Sequence, residues 1–101
     1  MTPVGVLLGS GRVEGEVLVS GAVTTAVLRT SGAGHDWAVV TLDDGTGVID
    51  VHVFPRVWRD HACPVRLGAR LTVNGRLDAT PDGLTILAMN VTPAEEGTDR
   101  G

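Results

Sequence analysis

The sequence predicts an all-β fold: a five-stranded barrel with one short helix between the third and fourth strands. Three observations carry this. Valine dominates an apolar fraction of 43%, beside 14 glycines, two Trp, one Phe and no Tyr, a mixture that favours strands and turns. Stretches of apolar–polar alternation recur, separated by turns rich in Gly and Asp. The single helix-like segment follows Pro55, after the third of these stretches.

The elements follow in order. Residues 1–12 read as a flexible N-terminal arm or an extra edge strand, with the apolar patch Val4–Leu8 leading into Gly9-Ser-Gly11. The run Gly9-x-Gly11-x-x-x-Gly15 has the wrong spacing for a nucleotide loop and precedes a strand pattern, so it reads as a hinge. The first strand runs from Glu16 to Thr30, with Val17, Val19, Gly21 and Val23 on one side. That is long for one strand, and Gly21 suits a bend or bulge that lets it serve two sheets. Ser31-Gly-Ala-Gly-His35 is a loop by composition.

The second strand, Trp37–Asp43, directs Ala38, Val40 and Leu42 inward and Trp37, Val39 and Thr41 outward. Asp44-Gly45-Thr46-Gly47 is a hairpin turn, with Asp44 accepting turn N–H groups. In the third strand Ile49, Val51 and Val53 face in, while Val48, Asp50 and His52 face out. Pro55 opens a helix of about two turns, Arg56–Ala62, with an i,i+4 pairing of Arg56 and Asp60. Trp58 packs that helix over the barrel end, and Phe54 is expected in the core. Ala69–Asp78 is the fourth strand, with Leu71, Val73 and Leu77 inward and Thr72, Asn74 and Arg76 outward. After a Thr80-Pro-Asp-Gly83 turn, Leu84–Thr92 is the fifth. Residues 13–92 thus form the domain, and 93–101 a disordered acidic tail. Three strands, a helix and two more strands make the signature of the Greek-key OB-fold. The helix position argues against an SH3-like barrel.

Bulk properties restrict function. The formal net charge is −4, and all eight basic residues are Arg. Such a chain does not coat nucleic acid by bulk electrostatics and needs a local arginine cluster to hold phosphate. One cysteine rules out an internal disulfide framework and fits a reducing compartment. No apolar run reaches membrane-spanning length, so the expected location is cytoplasmic. Asp60, His61 and Cys63 lack the paired ligand spacing of a zinc site. A catalytic thiol needs a His oriented across a cleft, which a small barrel offers poorly. The expectation is no enzyme, no metal and no cofactor.

Residues 19–91 resemble the OB domain near the C-terminus of bacterial DNA polymerase III alpha subunits. The resemblance rests on Gly21-x-Val23, Ala38-Val-Val-Thr-Leu-Asp-Asp44, Gly47-Val-Ile-Asp-Val-His-Val-Phe-Pro55, Val57-Trp58 and Val73-Asn-Gly-Arg-Leu77. The pattern is similar, more distantly, to the anticodon-binding OB domains of class II aminoacyl-tRNA synthetases. The resemblance implies binding of single-stranded DNA or RNA without catalysis. The chain departs from that family in beginning with its own Met and carrying no polymerase, so a free-standing OB protein is expected. Two positions depart from the family pattern: Gly32-Ala-Gly34 stands where relatives often carry a cation, and Val39 where they often carry an aromatic ring.

Ligands of this fold lie across strands two and three, between the loops that join strands one–two and four–five. That places Trp37, Arg29, Arg76, His35, Val39, Thr41, His52 and Asn74 in the candidate site. Trp37 either stacks a base or caps the open barrel end. Arg29 and Arg76 hold phosphate if they prove adjacent, and are otherwise solvated strand residues. His52 beside Asp50 either bonds a base edge or belongs to an ordinary polar outer face, and Asp50 repels phosphate. The leading expectation is sequence-independent binding of single-stranded nucleic acid, DNA ahead of RNA. The alternative is a protein–protein module of a replication or repair assembly, or self-association through Val4–Leu8.

Overall fold

A computed structural model describes residues 2–11, 13–61 and 65–94. The elements are α1 (Val4–Gly9), β1 (Glu16–Thr30), β2 (Asp36–Asp43), β3 (Val48–Val53), α2 (Pro55–His61), β4 (Arg70–Thr80) and β5 (Gly83–Pro93). The strands close a barrel in the order β1-β2-β3-β5-β4. Only the β3–β5 pair is parallel among these ladders. Five strands in this order, with α2 between β3 and β4, are the Greek-key OB architecture that the alternation predicts.

The core follows from strand parity. Val17, Val19 and Val23 of β1, Ala38, Val40 and Leu42 of β2, and Ile49, Val51 and Val53 of β3 are all buried. Leu71, Val73 and Leu77 of β4 and Ile86, Ala88 and Val91 of β5 complete the lining. In β5 the parity slips once. The register jumps from Asn74↔Asn90 to Gly75↔Ala88, which leaves Met89 as the extra residue and returns Val91 to the interior.

β1 serves both sides of the barrel, as its length demands. Residues 16–22 pair with β4 and residues 22–30 with β2, so Ala22 belongs to both ladders. The register shift lies between Val23 and Thr25 rather than at Gly21. Gly21 has a different task at the crossover: a Cβ there would sit 3.0 Å from the carbonyl carbon and oxygen of Asp43. Its missing side chain permits the close approach of two backbones.

The N-terminal segment departs from expectation. Residues 4–9 form a helix, not an arm or edge strand. Val4 and Leu7, one turn apart, are 0% and 1% exposed and join the barrel core. The helix is docked on the β2–β3 turn. The Val4 N–H donates to Asp44 Oδ2 at 2.8 Å, and the Gly5 N–H donates to Thr46 Oγ1 at 2.9 Å. These bonds satisfy first-turn donors that a helix cannot pair internally. A Cβ on Gly5 would lie 2.4 Å from the Thr46 carbonyl oxygen, so the contact requires glycine. Six residues are too few to display a helical period, and Gly disfavours a helix locally; the helix exists because the barrel mouth accepts its apolar side. Self-association through Val4–Leu8 is correspondingly reduced to Val6 and Leu8, which stay exposed.

Asp44 holds its turn, as expected, and also ties the turn to α1. Its Oδ1 accepts from the Thr46 N–H at 2.8 Å, the Thr46 hydroxyl at 2.6 Å and the Gly47 N–H at 3.2 Å. Partial desolvation pushes this carboxyl up, but the Thr46 hydroxyl and the N–H groups of Val4, Thr46 and Gly47 outweigh it and hold the group below its ordinary value.

At the other end α2 covers the barrel, with Val57 and Trp58 packed against the core as expected. The ion pair of Asp60 is formed with Arg59, at 3.9 Å, rather than with Arg56. Cys63 and the acidic tail beyond Ala94 lie outside the described residues.

Candidate nucleic-acid interface

Directly paired residues on neighbouring strands share a face, so the ladders define the outward surface row by row. Thr41, Asp50, Thr85 and Asp78 form one row across β2, β3, β5 and β4. Val39, His52, Leu87 and Arg76 form the next, flanked by Val27 on β1 at one end and Glu16 at the other. Trp37 of β2 pairs with Arg29 of β1 one step further towards the β1–β2 loop.

At that loop end three rings and a cation converge. The Trp37 centroid lies 5.2 Å from Phe54 and 5.9 Å from His52, and His52 meets Phe54 edge-on at 5.9 Å and 84°. The Arg29 guanidinium carbon sits 5.9 Å from the Trp37 ring centroid. Tilted and edge-on pairs of this spacing are attractive through their quadrupoles, and the cation adds to that attraction. The rings therefore brace one another while keeping apolar surface in solvent. Phe54 is 41% exposed.

Phe54 corrects the expectation that it belongs to the core. The parity of β3 already carries the reason: with Ile49, Val51 and Val53 inward, position 54 continues the outward series Val48, Asp50 and His52. Hydrophobicity argued for burial, and parity, which argued against it, prevails.

The remaining candidates separate. Val39 pairs with His52 and lies half-buried beneath the cluster. The Thr41 hydroxyl donates to Asp50 Oδ1 at 2.7 Å, so each already has a partner. Asn74 donates to Glu16 Oε2 at 3.2 Å and to the Val17 carbonyl at 3.3 Å, on the far side of the barrel from Trp37. Arg76 sits between Glu16 and Leu87, two strands beyond His52, and is not adjacent to Arg29. His35 is exposed in the β1–β2 loop, where the Ser31 hydroxyl accepts its backbone N–H at 3.1 Å.

The loop end also holds a pocket of about 540 Å³. Gly34, His35 and Asp36 form one wall, and Pro55, Arg56, Trp58 and Arg59 form the other. Sequence reasoning paired Arg56 with Asp60 and gave Arg59 no role; their i,i+3 spacing, which puts both on one side of α2, was the available signal.

A closed five-stranded barrel in this strand order, with a short helix between β3 and β4, defines an OB-fold domain as the protein class. The chain belongs to the OB-fold nucleic acid binding domain family, whose model matches residues 12–94. It is also similar to the DNA polymerase III subunit alpha of Saccharopolyspora erythraea, 27% identical over 96 residues. That match covers 93% of this chain and 8% of the polymerase subunit, so the chain spans about a twelfth of its relative's length.

Proposed function

We propose that this domain binds single-stranded nucleic acid, DNA ahead of RNA, with little sequence preference and without catalysis. The observation that carries the reading is the Trp37–His52–Phe54 cluster with Arg29 beside it. Bases stack on the exposed edge of this cluster, since every base has a π-face, and Arg29 neutralises the adjoining phosphate. His52 presents ring nitrogens to a base edge. Arg76 and Asn74 stand apart from this path. The similarity to a replicative polymerase subunit supports a setting in DNA replication or repair.

The test is fluorescence anisotropy of labelled oligothymidine and oligouridine at low and moderate salt. Binding is expected to weaken as salt rises. Trp37→Ala is expected to weaken it by about 1–3 kcal/mol, and Phe54→Ala by a comparable amount. No binding at low salt would remove the reading.

A second reading, an interaction module of a larger assembly, is favoured by the outer half of β1. Residues 24–30 are exposed throughout and have only β2 as a strand partner among the described residues. An edge of this kind accepts a further strand. Light scattering of the purified chain distinguishes self-pairing: a dimer mass that Leu28→Glu returns to monomer supports it, and a monomer at high concentration opposes it.

A further inference from the structure

We infer that the pocket between the β1–β2 loop and α2 is a second nucleotide subsite, continuous with the aromatic face and taking the next nucleotide of the same single strand. The inference rests on the reading of the Trp37 cluster as a binding face.

Continuity comes from the chain itself. Asp36, in one wall, immediately precedes Trp37, and Pro55, in the other, immediately follows Phe54. Strand parity sets Asp36 on the opposite face of β2 from Trp37, so a strand leaving the rings turns over the barrel rim between the β1–β2 loop and α2 to enter the pocket. The volume, about 540 Å³, lies in the usual range of small-ligand sites.

The lining chemistry selects a nucleotide over a simpler ligand. Trp58 is half-buried: it packs against the core and also lines the pocket. An indole wall offers a base a stacking surface, which a free phosphate or an acidic peptide does not need. Arg56 and Arg59 supply the cations for a phosphate. The Arg59–Asp60 pair, 3.9 Å long between side chains 77% and 65% exposed, holds Arg59 only weakly. Across the pocket, Asp36 accepts the Thr30 hydroxyl at 3.3 Å. Its carboxylate repels phosphate from the loop wall, towards the arginines, and can accept from a base amino group. A π surface, two cations on one wall and a carboxylate opposite match a base and its phosphate in a single orientation.

The two tryptophans of the chain report the two subsites separately, because each indole N–H gives one resonance in a nitrogen-15 correlation spectrum. Titration of the full chain with an oligothymidine octamer is expected to move both the Trp37 and the Trp58 signals. In the Arg56→Ala/Arg59→Ala double variant the Trp37 signal should still move and the Trp58 signal should stay. The octamer's affinity should fall about tenfold at low salt. The slope of log affinity against log salt should become shallower by about 1.4, the loss of two single-strand phosphate contacts at about 0.7 each. Both arginines are exposed, and circular dichroism of the double variant checks that the barrel is intact. If Trp37 moves to saturation while Trp58 does not, or if the double variant binds with unchanged affinity and slope, the subsite is overturned and the aromatic face stands. If neither indole moves, the reading of the face falls with it.

Discussion

The two ends of the β2–β3 hairpin are built from the same alternation and have opposite chemistry. At the turn end stand Asp43 and Asp44, with Asp50 and Asp78 in one row across β3, β5 and β4, and Asp44 is spent on hydrogen bonds to the turn and to α1. At the loop end, Trp37, His52 and Phe54 meet in tilted and edge-on contacts beside Arg29, next to a pocket bearing Arg56 and Arg59. One end is committed to closing the barrel, and the other leaves rings and cations in solvent. Asp43, Asp44, Asp50 and Asp78 thus lie towards the turn end, whereas Asp36 and Asp60 stand beside the loop-end pocket.

Changes at the turn end should cost stability and spare binding. The largest effect is expected for Leu7→Ala, which opens a cavity in the barrel mouth and should cost about 2–5 kcal/mol in urea denaturation. Oligonucleotide affinity of the folded variant should be unchanged; a large loss of affinity would break the division between the ends.

Asp44→Ala should cost about 1–3 kcal/mol, because it leaves the N–H of Val4 and the turn donors without their acceptor. Asp44 also predicts a pH dependence. Its folded-state pKa lies below the ordinary 3.8, so its contribution is complete above that value. It is lost as the pH falls through the lower, folded value. Acid unfolding curves of wild type and Asp44→Asn should therefore draw together as the pH falls below the ordinary 3.8 and meet only below the lower, folded value; parallel curves throughout would remove Asp44 as the acid-sensitive link.

The loop end should behave in reverse. Arg29→Ala is expected to lower oligonucleotide affinity at low salt by about 0.5–1 kcal/mol, through the lost phosphate contact and the weaker bracing of Trp37, with little change in thermal midpoint. The smallest effect is expected for Arg76→Ala, within about 0.5 kcal/mol in both stability and binding, as befits an exposed strand residue apart from the cluster. An Arg76 effect as large as that of Arg29 would extend the interface around the barrel to β4.

Much of this was legible from residue order. Alternation placed the inward residues of the first four strands, and the glycine- and aspartate-bearing turns placed their ends; the fifth strand was given only its span. The position of Trp37 on the outer face beside the first loop followed from the same parity. Two features were not read correctly, and a third was left open. Phe54 was assigned by its hydrophobicity, although its place after His52 put it outside. The helix at residues 4–9 has no local signal strong enough to declare it. Arg29 and Arg76 share a residue type and an outward parity on the first and fourth strands, and only the barrel order shows that they are not adjacent.

The sequence by itself determined the fold, because a period of two repeated five times, with turn chemistry between, leaves few ways to bury so many valines. It also determined which residues face outward. The closed barrel alone decided which of those outward residues meet: Trp37 with Phe54 and Arg29, Asn74 with Glu16, Asp44 with the Val4 N–H. Parity is a property of one strand, whereas a surface is made by register between strands distant in sequence, and register is set only when the core closes.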